Sequence, residues 1–257
     1  MRFPTLVALL LVAPCLAQAA DLNQDGRDDE ATAGRVPVSR TASTNVAIVQ
    51  TDDTQSITDF TVRLNTLGYS PTLIPPTSNF ATLSGYDLVV LPVSHASITW
   101  YANFDGLKDD YKSFVNGGGC LYVGQPNPMN APNLISWLPY TLKLDFQFTF
   151  TTCTRDLLDA SACTVQGLTG DDTPWPADTA LEVGPEWTIV EESAGVPGLL
   201  VADYGAGHIN VDLGHPSPQV GCPTSDACFA KMVECCLGTP PVPTRASTWG
   251  GVKSRYR

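Results

Sequence analysis

Four stretches decide the fold: NVAIVQ (residues 45–50), PTLIPP (71–76), YDLVVLPVS (86–94) and GGGCLYVGQP (117–126). Two amphipathic runs lie between them. In the first, Ile57, Phe60, Leu64 and Leu67 recur at helical spacing, Thr51, Asp52, Asp53 and Thr54 offer capping side chains ahead of it, and Gly68 closes it. In the second, Phe104, Leu107, Tyr111 and Phe114 form one stripe that ends at Gly117, Gly118 and Gly119. Apolar runs as continuous as residues 87–91 and 120–123 suit strands buried on both faces of a sheet. Strands alternating with helices of this length predict right-handed crossovers and a mostly parallel sheet in an α/β protein.

Beyond Pro126 the alternation stops. Residues 140–150 alternate apolar and polar, and with the loop TRDLLDASA between Cys153 and Cys163 they predict an inserted β-hairpin or flap over about residues 139–178. Strands are expected at 188–192, 198–203 and 208–213, the last two joined as an antiparallel hairpin by Tyr204-Gly205-Ala206-Gly207. Residues 225–237 read as a closing helix. The remainder, TPPVPTRASTWGGVKSRYR, reads as a proline-rich linker with a basic aromatic tail over 239–257.

At the other end, Arg2, the apolar run 4–14 and Leu16-Ala17-Gln18-Ala19-Ala20 have the three parts of a secretory signal peptide over residues 1–20. The run is too short for a membrane span of about 20 apolar residues. A secreted or periplasmic location follows, with an acidic leader and linker over 21–44 and one domain over 45–238. A net charge of −12 sets the chain against nucleic acid, whose phosphates require a basic surface. No partner is specified, although Trp249, Lys253, Arg255, Tyr256 and Arg257 could be read by a cell-surface or secretion-system partner.

An oxidising compartment permits disulfides. Cys153 and Cys163 bracket a short loop and are expected to pair, Cys222 is expected to join one of Cys228, Cys235 and Cys236, and Cys120 is the expected buried orphan. The spacing disfavours zinc. No cofactor is expected apart from calcium at the leader. There Asp21, Asn23, Asp25 and Asp29, with Gly26, reproduce part of a calcium loop, but Thr32 stands where the bidentate glutamate belongs. Weak calcium binding and a merely solvated acidic start both remain open.

The order YDLVVLP, helix, FVNGGGCLYVG and later GLLVADYGAGHINVDLGHPSP resembles the class I glutamine amidotransferase-like superfamily over residues 45–237. The resemblance implies a flavodoxin-like, three-layer sandwich with a mostly parallel sheet, to which this chain adds its β-rich, disulfide-bearing insertion. In catalytic members a cysteine occupies the elbow after the strand matching residues 120–123, and a histidine followed by Pro-Glu closes the site. Here the elbow reads Gly124-Gln125-Pro126, and His215-Pro216 is followed by Ser217. Cys120 lies at the opposite end of that strand, about 10 Å away, and a thiol there needs a neighbouring base to react. The resemblance therefore implies a degenerate, non-catalytic member.

Ligands of an α/β sheet bind at the carboxyl ends of its parallel strands. The loops there hold Asp52, Asp53, Ser94, His95, Gly124 and Gln125, and His215 in addition. The expected role is binding or assembly. One alternative is a hydrolase or amidase using His215 or His95, with Ser94 as a further candidate. Another is a carbohydrate-binding or cell-surface module presenting Trp100, Tyr101, Trp137, Trp175 or Trp187 on one face.

Overall fold

The computed structural model describes residues 44–92, 103–124, 133–145, 156–169, 179–193, 195–214 and 225–237. The chain divides into two compact units, Met1–Val38 and Ser39–Arg257, and every described residue belongs to the second. Eleven strands are described: β1 (Val46–Val49), β2 (Thr72–Ile74), β3 (Leu88–Pro92), β4 (Cys120–Gly124), β5 (Asn133–Leu134), β6 (Leu142–Asp145), β7 (Asp156–Leu157), β8 (Thr179–Val183), β9 (Thr188–Ser193), β10 (Val196–Tyr204) and β11 (Gly207–Asp212). The helices include α1 (Thr54–Thr66), α2 (Phe80–Leu83), α3 (Lys108–Asn116) and α4 (Asp226–Leu237).

Eight strands form one sheet in the order β2-β1-β3-β4-β11-β10-β9-β7. The five from β2 to β11 are parallel neighbours, and β10, β9 and β7 continue the sheet antiparallel. Successive side chains of a strand point to opposite faces, and the sheet therefore carries two apolar clusters. Ala47, Val49, Val89, Leu91, Leu121, Val123, Ile209 and Val211 face α3, through Tyr111, Phe114 and Val115, together with Trp137. Val46, Ile48, Leu88, Val90 and Tyr122 face α1, through Phe60 and Leu64, and α4, through Phe229, Met232 and Val233. Three aromatic rings knit this second cluster: Phe60, Tyr122 and Phe229 lie with centroids 5.3 to 5.6 Å apart.

The expected hairpin is present, with Tyr204 opposite Gly207 and Gly205 at φ +61° in its turn. A side chain at Gly205 or Gly207 would meet backbone atoms of α3 or Gly119. The insertion departs from expectation. It is a separate three-stranded antiparallel sheet, β5-β6-β8, whose outer strands lie beyond the expected bounds of 139–178. Leu142 and Leu144 of β6 reach the α3-side cluster. β7, from the same stretch of chain, pairs instead with β9 at the edge of the large sheet.

Two cysteine expectations are overturned. Cys163 pairs with Cys235 (Cα–Cα 5.5 Å), not with Cys153, and Cys120 pairs with Cys236 (Cα–Cα 5.5 Å). The reason is which elements share a face. Cys120 points to the side of the sheet that α4 covers, and Val165 packs the loop carrying Cys163 onto that same side. Cys228 is buried within α4, while Cys153 and Cys222 lie outside the described residues.

Candidate functional site

The carboxyl ends of β1, β3, β4 and β11 lie at one edge of the sheet. After β1 the chain turns into α1 through Thr51, Asp52 and Asp53. Thr51 Oγ1 donates to the carbonyl of Pro92 at 2.7 Å, tying the end of β1 to the end of β3, and accepts from the Asp53 amide at 3.3 Å. Asp53 is buried, and its Oδ1 accepts from the Ser56 amide at 3.0 Å, capping α1. A carboxylate there satisfies an orphan helix donor and faces the positive end of the helix dipole. Asp52, beside it, is exposed.

At the end of β4, Gly124 lies under Phe60. A Cβ at that position would come within 2.7 Å of the Phe60 ring. Its neighbour across the ladder is Asp212, the last residue of β11. Asp212 is buried, accepts from the Tyr122 hydroxyl at 2.6 Å through Oδ2, and accepts from the Gly214 amide at 2.8 Å through Oδ1. Burial holds the Tyr122 phenol well above the ordinary tyrosine range, and the adjoining Asp212 carboxylate pushes it further in the same direction. The phenol is therefore a fixed donor, and Asp212 is a bound acceptor.

Of the candidate ligand-loop residues, the structure brings Asp53 and Gly124 to this edge in structural positions and leaves Asp52 at its surface. Ser94, His95, Gln125 and His215 lie outside the described residues, as do Asp21, Asn23, Asp25 and Asp29 of the leader. Among the described residues there is no group of histidine, cysteine, aspartate or glutamate arranged to hold a metal ion. Nor is any described helix long and apolar enough to cross a membrane. Trp137 and Trp187 are buried, the latter donating its indole N–H to the Thr141 carbonyl at 3.0 Å, so neither serves an exposed aromatic platform. Trp100, Tyr101 and Trp175 lie outside the described residues. The Tyr122–Asp212 pair went unread in the sequence. Its signal was a tyrosine and an aspartate at same-face positions of two apolar strands, YV and NVD, which must find each other once buried.

No protein-family profile matches the chain, and no curated protein matches it. Solved structures share its fold at low identity. A cytoplasmic protein of Salmonella typhimurium LT2 superposes with a TM-score of 0.55 at 13% identity, over 78% of this chain and 100% of that one. A putative GMP synthase protein of Thermoplasma acidophilum gives 0.51 at 13%, over 76% and 95%. A β-galactosidase of Rahnella sp. R3 gives 0.52 at 15%, over 77% of this chain but only 32% of that enzyme. At such identities the likeness concerns the fold alone.

Proposed function

We propose that this is an exported α/β protein built on a flavodoxin-like, class I glutamine amidotransferase-like three-layer sandwich, and that the carboxyl edge of its sheet serves binding or assembly and carries no amidotransferase-type turnover. The observation that carries the reading is the state of that edge. Gly124 stands at the elbow with an aromatic ring against it, and among the described residues the buried side chains of Thr51, Asp53, Tyr122 and Asp212 around it are engaged in capping or tying strands together. A nucleophile needs an adjacent base and open space for substrate. The strand order β2-β1-β3-β4-β11, reversing between β1 and β3, supports the flavodoxin-like assignment, and the putative GMP synthase protein of like fold is in keeping with it. Two disulfide pairs accord with an oxidising compartment. The partner this reading implies is a protein of the cell surface or the secretion machinery.

The test is to purify the protein from the secreted or periplasmic fraction, sequence its amino terminus, and assay it for glutamine hydrolysis and for labelling by fluorophosphonate and iodoacetamide probes. A start near Asp21, no ammonia release and no labelling at Ser94 are expected. Labelling or hydrolysis that disappears in His215→Ala, His95→Ala or Ser94→Ala overturns the reading in favour of a hydrolase.

A further inference from the structure

Where the β10–β11 hairpin turns, at the amino edge of the large sheet, three aromatic rings stand in a row. Tyr140, which leads into β6, meets Trp187, just ahead of β9, at 6.0 Å between centroids and 85°, and meets Tyr204, the last residue of β10, at 5.7 Å and 84°. Hydrogen bonds fix two of them: the Tyr140 hydroxyl donates to the Asp203 carbonyl at 2.8 Å, and the Trp187 indole donates to the Thr141 carbonyl. Trp187 is buried, whereas Tyr140 and Tyr204 are half-buried and keep part of their surface in solvent. Two exposed carboxylates flank them, Glu186 and Asp203. Both act on the Tyr140 phenol, which is held above the ordinary tyrosine range by burial first and then by Glu186, Tyr204 and Asp203. Asp203 Oδ1 lies 2.8 Å from His208 Nδ1 while its side chain stays 73% exposed, and Glu186 forms no ion pair among the described residues.

Fixed aromatic rings rimmed by carboxylates suit a cation carried on an apolar stem. An ammonium or guanidinium is attracted to the ring face, its methylenes pack on the aromatic surface, and a surface already held rigid loses little freedom on binding. A fitting occupant is present in the same chain. Residues 239–257 hold Arg245, Lys253, Arg255 and Arg257 and no aspartate or glutamate, in a chain whose net charge is −12. They also set out from the same edge: α4 ends at Leu237, and Cys236 beside it is bonded to Cys120, the first residue of β4. Lys253 follows Leu237 by 16 residues, which span at most about 50 Å when extended. A domain of some 200 residues has a radius of gyration of only about 16 Å. We propose that the Tyr140–Tyr204 surface, with Glu186 and Asp203 at its rim, is a docking site for the basic residues at 253–257 of its own chain, Lys253, Arg255 and Arg257.

A single exposed ion pair or cation–π contact is weak. The tether compensates, because a short flexible linker holds its end at a local concentration of about a millimolar. Whatever partner reads the tail must then compete with Glu186 and Asp203 for it. The site lies at the amino edge of the sheet and stands apart from the reading of the carboxyl edge, so neither fails with the other.

Lys253 provides the test, since a zero-length carbodiimide joins an amine only to a carboxylate that it touches. Full-length protein, its tail verified by intact mass, is prepared as an equal mixture of nitrogen-14 and nitrogen-15 chains, treated with the carbodiimide and mapped by peptide mass spectrometry. Amide links from Lys253 are expected at Glu186 or Asp203, exceeding those to the exposed Asp52 and Asp109 by about tenfold or more. They are expected within one isotope label, and their yield should fall as salt is raised. Tyr204→Ser lowers the yield by about threefold, and Arg255→Ser combined with Arg257→Ser, which alters no described residue, lowers it in the same sense. Lys253 links that are missing, that scatter over the carboxylates according to exposure, or that are indifferent to Tyr204→Ser and to the paired arginine substitutions overturn the proposal. Links joining the two labels in statistical proportion overturn it in favour of the tail of a second copy.

Discussion

The β4–β11 pair ends in two unlike ways. At its carboxyl end a phenol, a carboxylate and a backbone amide satisfy one another, and Phe60 closes over Gly124. At its amino end His208 and Asn210 each keep a buried polar atom without a partner among the described residues, and the Asn210 amide lies against the Cys120–Cys236 disulfide. A buried hydrogen bond that is complete stabilises its surroundings by about 1 kcal/mol, whereas an incomplete one costs more than that. The difference is one of buried polar groups: among the described residues those of the carboxyl edge are committed to structure, which leaves that edge its surface for binding or assembly, whereas those of the amino end are incompletely paired.

The largest expected effect probes how firmly the amino end is held. A Cβ at Gly207, the first residue of β11 and the neighbour of His208, would stand 2.0 Å from the Val115 carbonyl oxygen and 2.3 Å from that of Gly119. Both are backbone atoms, so a side-chain rotation cannot relieve the clash. Gly207→Ala is expected to cost more than about 4 kcal/mol, read from urea denaturation. If the substitution were tolerated within about 1 kcal/mol, α3 would not be seated against the hairpin, and the position of His208 would be loose.

At the carboxyl end the corresponding probe is Tyr122→Phe, which removes one donor from Asp212 and is expected to cost about 2 kcal/mol. It has a pH signature. The folded phenol holds its proton more tightly than the unfolded one, so above about pH 10 the unfolded chain binds fewer protons and stability falls as pH rises. Tyr111 is raised by burial in the same direction, and Tyr69 is pushed up to about 12. Removing Tyr122 should therefore lessen the alkaline loss of stability by up to about 1.4 kcal/mol per pH unit, measured as urea midpoints on either side of the phenol titration. An unchanged alkaline slope would mean that Tyr122 is not buried against Asp212.

Why the two ends differed in legibility follows from the range of the interactions. β1, β3 and β4 could be read because burial on both faces makes their apolar runs continuous, and the β10–β11 hairpin because Tyr204-Gly205-Ala206-Gly207 is a local turn signal. The insertion was read as a hairpin because two-residue strands such as Asn133–Leu134 and Asp156–Leu157 leave no periodicity to detect. Cysteine pairing was misjudged for a related reason. Closeness in sequence favoured Cys153 with Cys163, but the observed partners are 72 and 116 residues apart and are set by which helix covers which face. His208 and Asp203 were visible only as ends of strands. Their meeting depends on the register of β10 with β11, and the placing of His208 opposite Cys120 depends on β4 lying on the other side.

The smallest effect separates structure from binding at the carboxyl edge itself. Asp53 lies where a ligand loop was expected, but its carboxylate already accepts from the Ser56 amide and its side chain is buried. Asp53→Ala should therefore destabilise the domain by about 1 kcal/mol through loss of the α1 cap, whereas Asp53→Asn, which keeps an acceptor oxygen, should change it by only a few tenths. Thermal unfolding of the two variants decides the matter. A binding residue would give the reverse ordering of consequences: stability nearly untouched by alanine, and partner capture lost in both variants because the negative charge is gone. Equal stability of Asp53→Ala and the wild type would show that the Asp53 carboxylate is not committed to the α1 cap and would erase the contrast between the two ends of the sheet.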